Sequence, residues 1–299
     1  FPTLGAVDVN ALTPRAVREW HSALVLSGVV SANTAAKCYR VLRTILGPAV
    51  HDELIIANPC KLPGAGVELV TERPAPPVPQ VVTALGLHGC LTSPDELSMS
   101  QIPEVVSMGI PSVKFFLTYG QEGWAISDSQ LLNAMRLLAE SGGTACIHAE
   151  NDQLVQAGVQ DRIDAGDVGP GGHARSRPPL LEAEAIQRSI LYARETNCRL
   201  FIVHVSSTAG AQVIEAARAT QSSVFAETCP HSLAFDDSIL DEPNGHRYVM
   251  SPPLRARGNP EALWRALSNG VLQSVGSDDA AYYEEFKTRG SSDFRLIAN

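Results

Sequence analysis

From about residue 85 onward the chain alternates two textures. Short apolar runs, "ALGLHGCL", "SVKFFLTY", "TACIHAE", "RLFIVHVSS", "SVFAETC" and "LQSVGSDD", are separated by amphipathic stretches such as "DSQLLNAMRLLAESGG", "LLEAEAIQRSILYARETN", "TAGAQVIEAARAT" and "NPEALWRALSNG". A short continuous apolar run predicts a strand buried on both faces, and an apolar repeat of about 3.6 residues predicts a helix. Parallel neighbours can be joined only by a crossover long enough to hold such a helix, so the rhythm requires a parallel sheet with helices outside it. The expected fold class is α/β, built either as an open doubly wound sheet or as a (β/α)8 barrel. No G-x-G-x-x-G and no G-x-x-x-x-G-K-[ST] occurs, which counts against dinucleotide and P-loop chemistry.

Residues 1–72 read instead as a small all-α helical module. "LTPRAVREWHSALVLSG" offers Thr13 as N-cap, Pro14 at the first helical position and Gly28 as a stop. A second helix over "SANTAAKCYRVLRTILGPAVHDELI" carries Ala36, Tyr39, Leu42, Ile45, Leu46 and Val50 as one apolar stripe, while Lys37, Arg40 and Arg43 recur every three residues as a basic ridge. Two glycines and six prolines in "PCKLPGAGVELVTERPAPPVPQ" predict a stiff, extended connection, with a proline-rich linker and junction over residues 73–84. The net charge of −9 divides unevenly: residues 1–84 hold seven Lys/Arg against six Asp/Glu, leaving 16 against 26 for the rest. Any nucleic-acid contact therefore belongs to the N-terminal segment.

The six cysteines, Cys38, Cys60, Cys90, Cys146, Cys198 and Cys229, include no C-x-x-C pair. That scatter fits reduced cytoplasmic thiols better than a disulfide framework or a zinc ribbon. The apolar run "ALVLSGVV" at 23–30 is too short to span a bilayer, so no membrane role is expected.

Within "IPSVKFFLTYG", residues 110–120, one lysine interrupts an apolar run. A lysine in a parallel-sheet core must lose its charge, pair or be chemically altered, since an uncompensated buried ammonium costs several kcal/mol. The bland alternative is an edge-strand lysine whose head reaches solvent. In parallel α/β folds chemistry gathers at the C-terminal ends of strands, and there lie Lys114, His148 in "CIHAEN", His204 in "IVHVSS" and Asp278 in "VGSDD". One strand-end histidine is commonly a hydrogen-bonded core residue. Two in adjacent units, preceded by a lysine and followed by an aspartate, point to a metal site; neutral imidazoles suit Zn²⁺, and Asp278 can shuttle a proton.

From about Leu85 to Asn299 the chain resembles the dihydropyrimidinase and hydantoinase branch of the amidohydrolase superfamily. The resemblance runs through "SVKFFLTYG", "IHAEN", "RPPLLEAEAIQR", "IVHVSS", "AETCPHSL", "VMSPPLR" and "VGSD". It implies a (β/α)8 barrel with two Zn²⁺ ions that opens 5,6-dihydrouracil or hydantoin rings to N-carbamoyl amino acids, in a homotetramer. By the same carry-over Lys114 is carboxylated by CO₂ and bridges the metals; an apolar setting favours the uncharged amine that reacts. His148 and His204 would hold the second metal and Asp278 the first, with Asp278 also acting as acid/base. Tyr119 would donate to the developing oxyanion, and the backbone of Ser251 and Asn299 would hold the cyclic imide.

Three features depart from that pattern. The family's first strand carries a His-x-His pair, yet no two of the eight histidines here are separated by a single residue. His88 is no substitute, standing alone on the third strand. Asp279, Ala280 and Ala281 replace the residues usual after the metal-binding aspartate. Strands one and two should precede residue 83, where helices and prolines stand instead. The expectation is an incomplete barrel over residues 85–299, with open edges prone to aggregation and at most weak or single metal occupancy.

"LTPRAVREWHSAL", "NTAAKCYRVLRTILGPAVHDELIIANPC" and "PGAGVE" resemble the DNA-clamping core-binding domain of phage-type tyrosine recombinases (integrases), over about residues 3–82. The resemblance implies phosphate contacts by Lys37, Arg40 and Arg43. No histidine has an arginine three residues later, which excludes recombination chemistry. The chain is thus expected to be a chimera, a piece of an integrase joined to an internal piece of a hydrolase and incomplete at both ends, with DNA binding as the alternative function.

Overall fold

A computed structural model describes residues 8–28, 30–52, 54–67, 86–220, 223–280 and 282–298. The linker expected at 73–84 lies outside the described residues. The chain divides into two compact units, Phe1–Val81 and Val82–Asn299.

In the first unit, α1 (Pro14–Leu26) starts where Thr13 Oγ1 accepts the Ala16 N–H at 3.1 Å, and Gly28 takes φ +65° just past its end. Helix α2 (Ala32–His51) is capped by Ser31, whose hydroxyl accepts from the Thr34 N–H. Val17 and Trp20 of α1 pack with Tyr39, Leu42 and Leu46 of α2, and the Tyr39 hydroxyl accepts the Leu62 N–H at 2.7 Å. One residue of the expected stripe is misplaced: Ile45 is 57% exposed. The buried line runs through Ala35, Tyr39, Leu42 and Leu46, and at about 100° per residue position 45 falls to one side of it. Lys37, Arg40 and Arg43 are exposed on the far side of α2.

The second unit realises the alternation. Strand β1 (Gly89–Cys90) leads through α3 (Glu96–Ser100) and α4 (Ile102–Ser107) to β2 (Ser112–Phe116), α5 (Asp128–Ser141) and β3 (Thr144–His148). Then follow α6 (Asp152–Asp164), α7 (Pro170–Arg175), α8 (Pro179–Thr196), β4 (Arg199–Ile202), α9 (Thr208–Arg218) and β5 (Val224–Thr228). The described part closes with α10 (Pro230–Ala234), α11 (Asn259–Ser268), β6 (Ser274–Val275) and α12 (Glu284–Thr288). All six apolar runs become strands, every pairing is parallel, and the spatial order is β1-β2-β3-β4-β5-β6. Doubly wound sheets reverse their order at a switch point. This sheet never does, so the open doubly wound alternative is excluded.

The two-residue period of the strands sorts side chains onto two faces. Val113 and Phe115 of β2, Ala145 and Ile147 of β3, Leu200 and Ile202 of β4, and Val224 and Ala226 of β5 meet Leu131, Met135 and Leu138 of α5 and Ile186 and Ile190 of α8 in one core. The opposite rows include Ser112 and Lys114 of β2, Cys146 of β3, Phe201 of β4 and Glu227 of β5. With His88, Val203 and Asp278 they line a cavity of about 440 Å³. Both edge strands are two residues long, which limits the template for pairing with another sheet.

Leu131 is fully buried between α5 and the sheet. Leu131→Ala should cost about 2–5 kcal/mol in urea unfolding, whereas Leu97→Ala, at a side chain 71% exposed, should change stability by no more than about 0.5 kcal/mol.

Candidate metal centre and its buried polar belt

The strand ends deliver the expected residues through an unusual backbone. Among the described residues only Tyr119 (φ +68°), Asn197 (+55°), His204 (+41°) and Asp278 (+48°) are non-glycine residues in the left-handed region. Asn197 is an ordinary helix C-cap. Each of the other three follows a strand by a few residues, and each pays about 1–2 kcal/mol for its conformation. Strain of that size, repeated at three strand ends on one side of the sheet, marks a site rather than a packing accident.

His148 ends β3 and His204 follows β4; their ring centroids are 4.5 Å apart at 70°. Both are buried. Neither ring nitrogen of His204 meets a hydrogen-bond partner, an omission that costs about 1–3 kcal/mol per buried group. Burial first, then the charges of His148 and Lys114, hold the His204 imidazole well below its ordinary range. It is therefore neutral at pH 7, the form that binds a metal.

His148 is tied down. Its Nε2 lies 3.0 Å from Glu150 Oε2, and the other carboxylate oxygen lies 3.7 Å from Arg177 Nε. Burial pushes the Glu150 carboxyl up, but the His148 hydrogen bond and the Arg177 charge outweigh it and leave the group below its usual value. Arg177 Nη1 donates to His173 Nδ1 at 3.2 Å, and His173 Nε2 donates to the Met250 carbonyl at 2.9 Å, with Ser251 Oγ at 3.3 Å. Ser251 in turn hydrogen-bonds Tyr119. Burial, then the charge of Glu150, raises the Tyr119 phenol, which keeps its proton as a donor. A continuous polar belt thus joins His148 to Tyr119 through residues of four separate segments. Alongside it, Glu182 Oε1 accepts from the Ser206 N–H at 2.7 Å, and Arg255 donates to Ser206 Oγ at 3.0 Å and to the Arg177 carbonyl.

The structure therefore brings His148 and His204 together, with Lys114 as a charged neighbour of His204, and brings Tyr119 to Ser251. Asp278 is exposed and shares the 440 Å³ cavity with Lys114 and Glu227; its charge helps raise the Glu227 carboxyl, after burial. Lys114 is half-buried, its Nζ 5.1 Å from the Phe116 ring centroid. Asn299 lies outside the described residues. Among the described residues no three His, Cys, Asp or Glu side chains stand close enough to share an ion. His88, set aside in the sequence reading, faces the same cavity, with Nδ1 2.5 Å from Ser112 Oγ and 3.9 Å from Cys146 Sγ. Sequence reasoning also missed Glu150, His173, Arg177, Glu182 and Arg255, although all but His173 fall inside strings quoted for the resemblance. The signal for Glu150 was its offset of two from His148, the spacing that returns an extended chain to one side.

No protein-family model matches the chain. It is 40% identical over 218 residues to the dihydropyrimidinase of Arabidopsis thaliana, covering 72% of this chain and 41% of that protein. Against the D-hydantoinase of Geobacillus stearothermophilus it is 34% identical over 224 residues, 74% of this chain and 47% of the relative. The solved D-hydantoinase of Bacillus sp. AR9 superposes with a TM-score of 0.68 at 36% identity, over 72% of this chain and 48% of that one. Most of the chain is homologous to dihydropyrimidinases and D-hydantoinases. Since the first unit ends at Val81, a match of 218 residues must fall chiefly in the second. The chain spans less than half the length of these relatives. They lend no support to the recombinase resemblance of residues 3–82 or to a chimeric origin. Among the described residues no helix is long and apolar enough to cross a membrane.

Two outcomes are expected. Removing one member of a buried charged cluster strands the rest, so Arg255→Ala should lower unfolding free energy by about 3–5 kcal/mol. Burial and the Arg177 charge hold His173 well below its ordinary value of 6.5, so the unfolded chain protonates first on acidification. Stability should fall as pH drops below about 6.5, by up to about 1.4 kcal/mol per pH unit for this residue; urea midpoints from pH 7.5 to 5.5 in the native chain and His173→Gln measure it, the variant showing the shallower slope.

Proposed function

We propose that the second unit is an arc of a (β/α)8 barrel carrying a metal-assisted cyclic amidohydrolase site, which opens a dihydrouracil or hydantoin ring to an N-carbamoyl amino acid. The observation that carries the reading is His204, a buried neutral imidazole with two unpartnered nitrogens, set against His148 at the strand-end mouth. These two residues fit one zinc ion, and Lys114, carboxylated to a carbamate, would be its anionic third ligand. The ligands of a second ion do not fit, because the sequence has no His-x-His pair. Held by the histidine pair, a zinc ion would supply Lewis acidity, lowering the pKa of a water toward neutrality and polarising the ring carbonyl.

The chain's own groups do the rest. Tyr119, protonated and hydrogen-bonded to Ser251, donates to the oxygen that becomes negative as water adds to the carbonyl carbon. Asp278 takes a proton from the attacking water and returns it to the ring nitrogen as the C–N bond breaks. Backbone groups of Ser251 and Asn299 hold the imide. The six free thiols suit a reducing, cytoplasmic setting.

The test is ring opening of dihydrouracil and hydantoin by the full chain supplied with zinc and bicarbonate, followed by appearance of the ureido acid. Tyr119→Phe should lower kcat by about 10²–10³-fold, and Lys114→Ala should abolish zinc retention. An unconsumed substrate, under conditions where an intact hydantoinase turns over, overturns the reading.

A further inference from the structure

We propose that Asp152, the first residue of α6, is the positioning residue for Tyr119: its carboxylate grips the chain on either side of Tyr119 and so aims the phenol at Ser251. The inference rests on the oxyanion role given to Tyr119 above and goes beyond it, because that role says nothing of what keeps the side chain in place.

Tyr119 stands in the left-handed region at φ +68°, a conformation that a residue with a Cβ leaves unless its surroundings forbid it. Asp152 supplies the restraint. Its Oδ1 accepts the Gly120 N–H at 2.9 Å and the Thr118 hydroxyl at 3.4 Å, and its own N–H donates to the Leu117 carbonyl at 3.3 Å. One residue thus holds Leu117, Thr118 and Gly120, the neighbours of Tyr119 on both sides. A carboxylate makes a stronger acceptor for an amide than a neutral oxygen does.

The grip is itself anchored. Asn151 caps α6 by accepting the Leu154 N–H, which fixes Asp152 in the first turn, where a helix favours negative charge. One turn on, Gln156 Oε1 accepts from Gln121 Nε2 at 2.6 Å, so positions i and i+4 on one face of α6 hold the same loop. A Cβ at Gly120 would run into the Asp152 carboxylate, and only glycine lets the acid come this close. The Tyr119 ring lies among Phe116, Trp124 and His148, with centroids 5.7, 5.7 and 5.2 Å away, and its hydroxyl meets Ser251. Asp152 makes none of the hydrogen bonds of the belt that starts at His148, so the two ends of the site are held by separate devices.

Two measurements test the assignment on the full chain. Ring spectra of ¹³C-labelled tyrosine in the zinc-free, substrate-free protein, with the Tyr119 signal identified by its loss in Tyr119→Phe, should shift in Asp152→Ala and stay in place in Asp152→Asn, which keeps the acceptor oxygen. An unmoved signal in Asp152→Ala overturns the proposal. In hydantoin opening by the zinc-loaded chain, Asp152→Ala should lower kcat about 10²-fold with KM nearly unchanged, and Asp152→Asn should recover most of the loss. Made in the Tyr119→Phe background, Asp152→Ala should cost less than about 2-fold, because both changes act through one group; an equal loss in the two backgrounds sinks the idea. Should the native chain open no ring, the hydrolase reading fails, while the tyrosine spectrum still decides for or against Asp152.

Discussion

The parallel registration of β2, β3, β4 and β5 is the constraint on which the rest depends. Lys114 stands opposite Cys146, Cys146 opposite Phe201, and Phe201 opposite Phe225, so one slip of a residue would exchange the two faces of a strand. The helices prevent that slip, because the outward row of Val113, Phe115, Ile147, Leu200, Ile202 and Ala226 is almost wholly apolar and buried under them. The same lock sends Lys114, Cys146 and Glu227 to the opposite face. Registration paid for by hydrophobic burial on one side thereby aligns polar groups on the other, and the chain ends of the strands all arrive at a single rim.

Above that rim the energetics reverse, since charges rather than methyl groups fill the interior. Among the described residues, seven buried polar side-chain atoms lack a hydrogen-bond partner, and four of them are Glu150 Oε1, Arg177 Nε, Glu182 Oε2 and Arg255 Nη2. They form two facing couples, at 3.7 Å and 3.8 Å, a few tenths of an ångström beyond hydrogen-bonding reach. Coulomb attraction still operates at that distance, so neither couple is a bare buried charge. Desolvation offsets much of the gain, and the belt adds less to net stability than its ion pairs suggest. Its consequence is geometric: Arg177 faces the Glu150 carboxylate at 3.7 Å and donates to the His173 ring, and so links His148 to the Tyr119 and Ser251 end of the site.

The fold and part of the site were legible in the sequence for different reasons. Strand and helix positions follow from periods of about two and 3.6 residues, which is local information, and the strand-end residues follow from counting along each apolar run. What remained hidden was assembled at long range. His173 meets Met250 and Ser251 across separations of 77 and 78 residues, and Arg255 reaches the Arg177 carbonyl across 78. No periodicity encodes such contacts, and an arginine in a loop reads as surface until the fold closes over it. Ile45 failed for the converse reason: it matched an apolar pattern, but the second element of its unit covers only the centre of the α2 face. His88 was dismissed by strand counting, and it is the parallel pairing of Gly89 with Val113 that carries it to Ser112.

Strain and orphaned groups converge on the same few residues. The left-handed backbone of His204 turns its ring into the interior beside His148, where both nitrogens go without partners. A fold gains nothing from either cost taken alone, and a glycine at 204 would relieve both, whereas an alanine would remove only the unpartnered nitrogens. The two penalties together are of the size that a metal–imidazole bond readily offsets, since binding a ligand to the native state alone stabilises it. His148 shows the complementary arrangement: its backbone lies outside the left-handed region and its Nε2 meets Glu150 Oε2 at 3.0 Å. On the proposed zinc reading, His148 is the ligand held in advance and His204 the one that the ion sets.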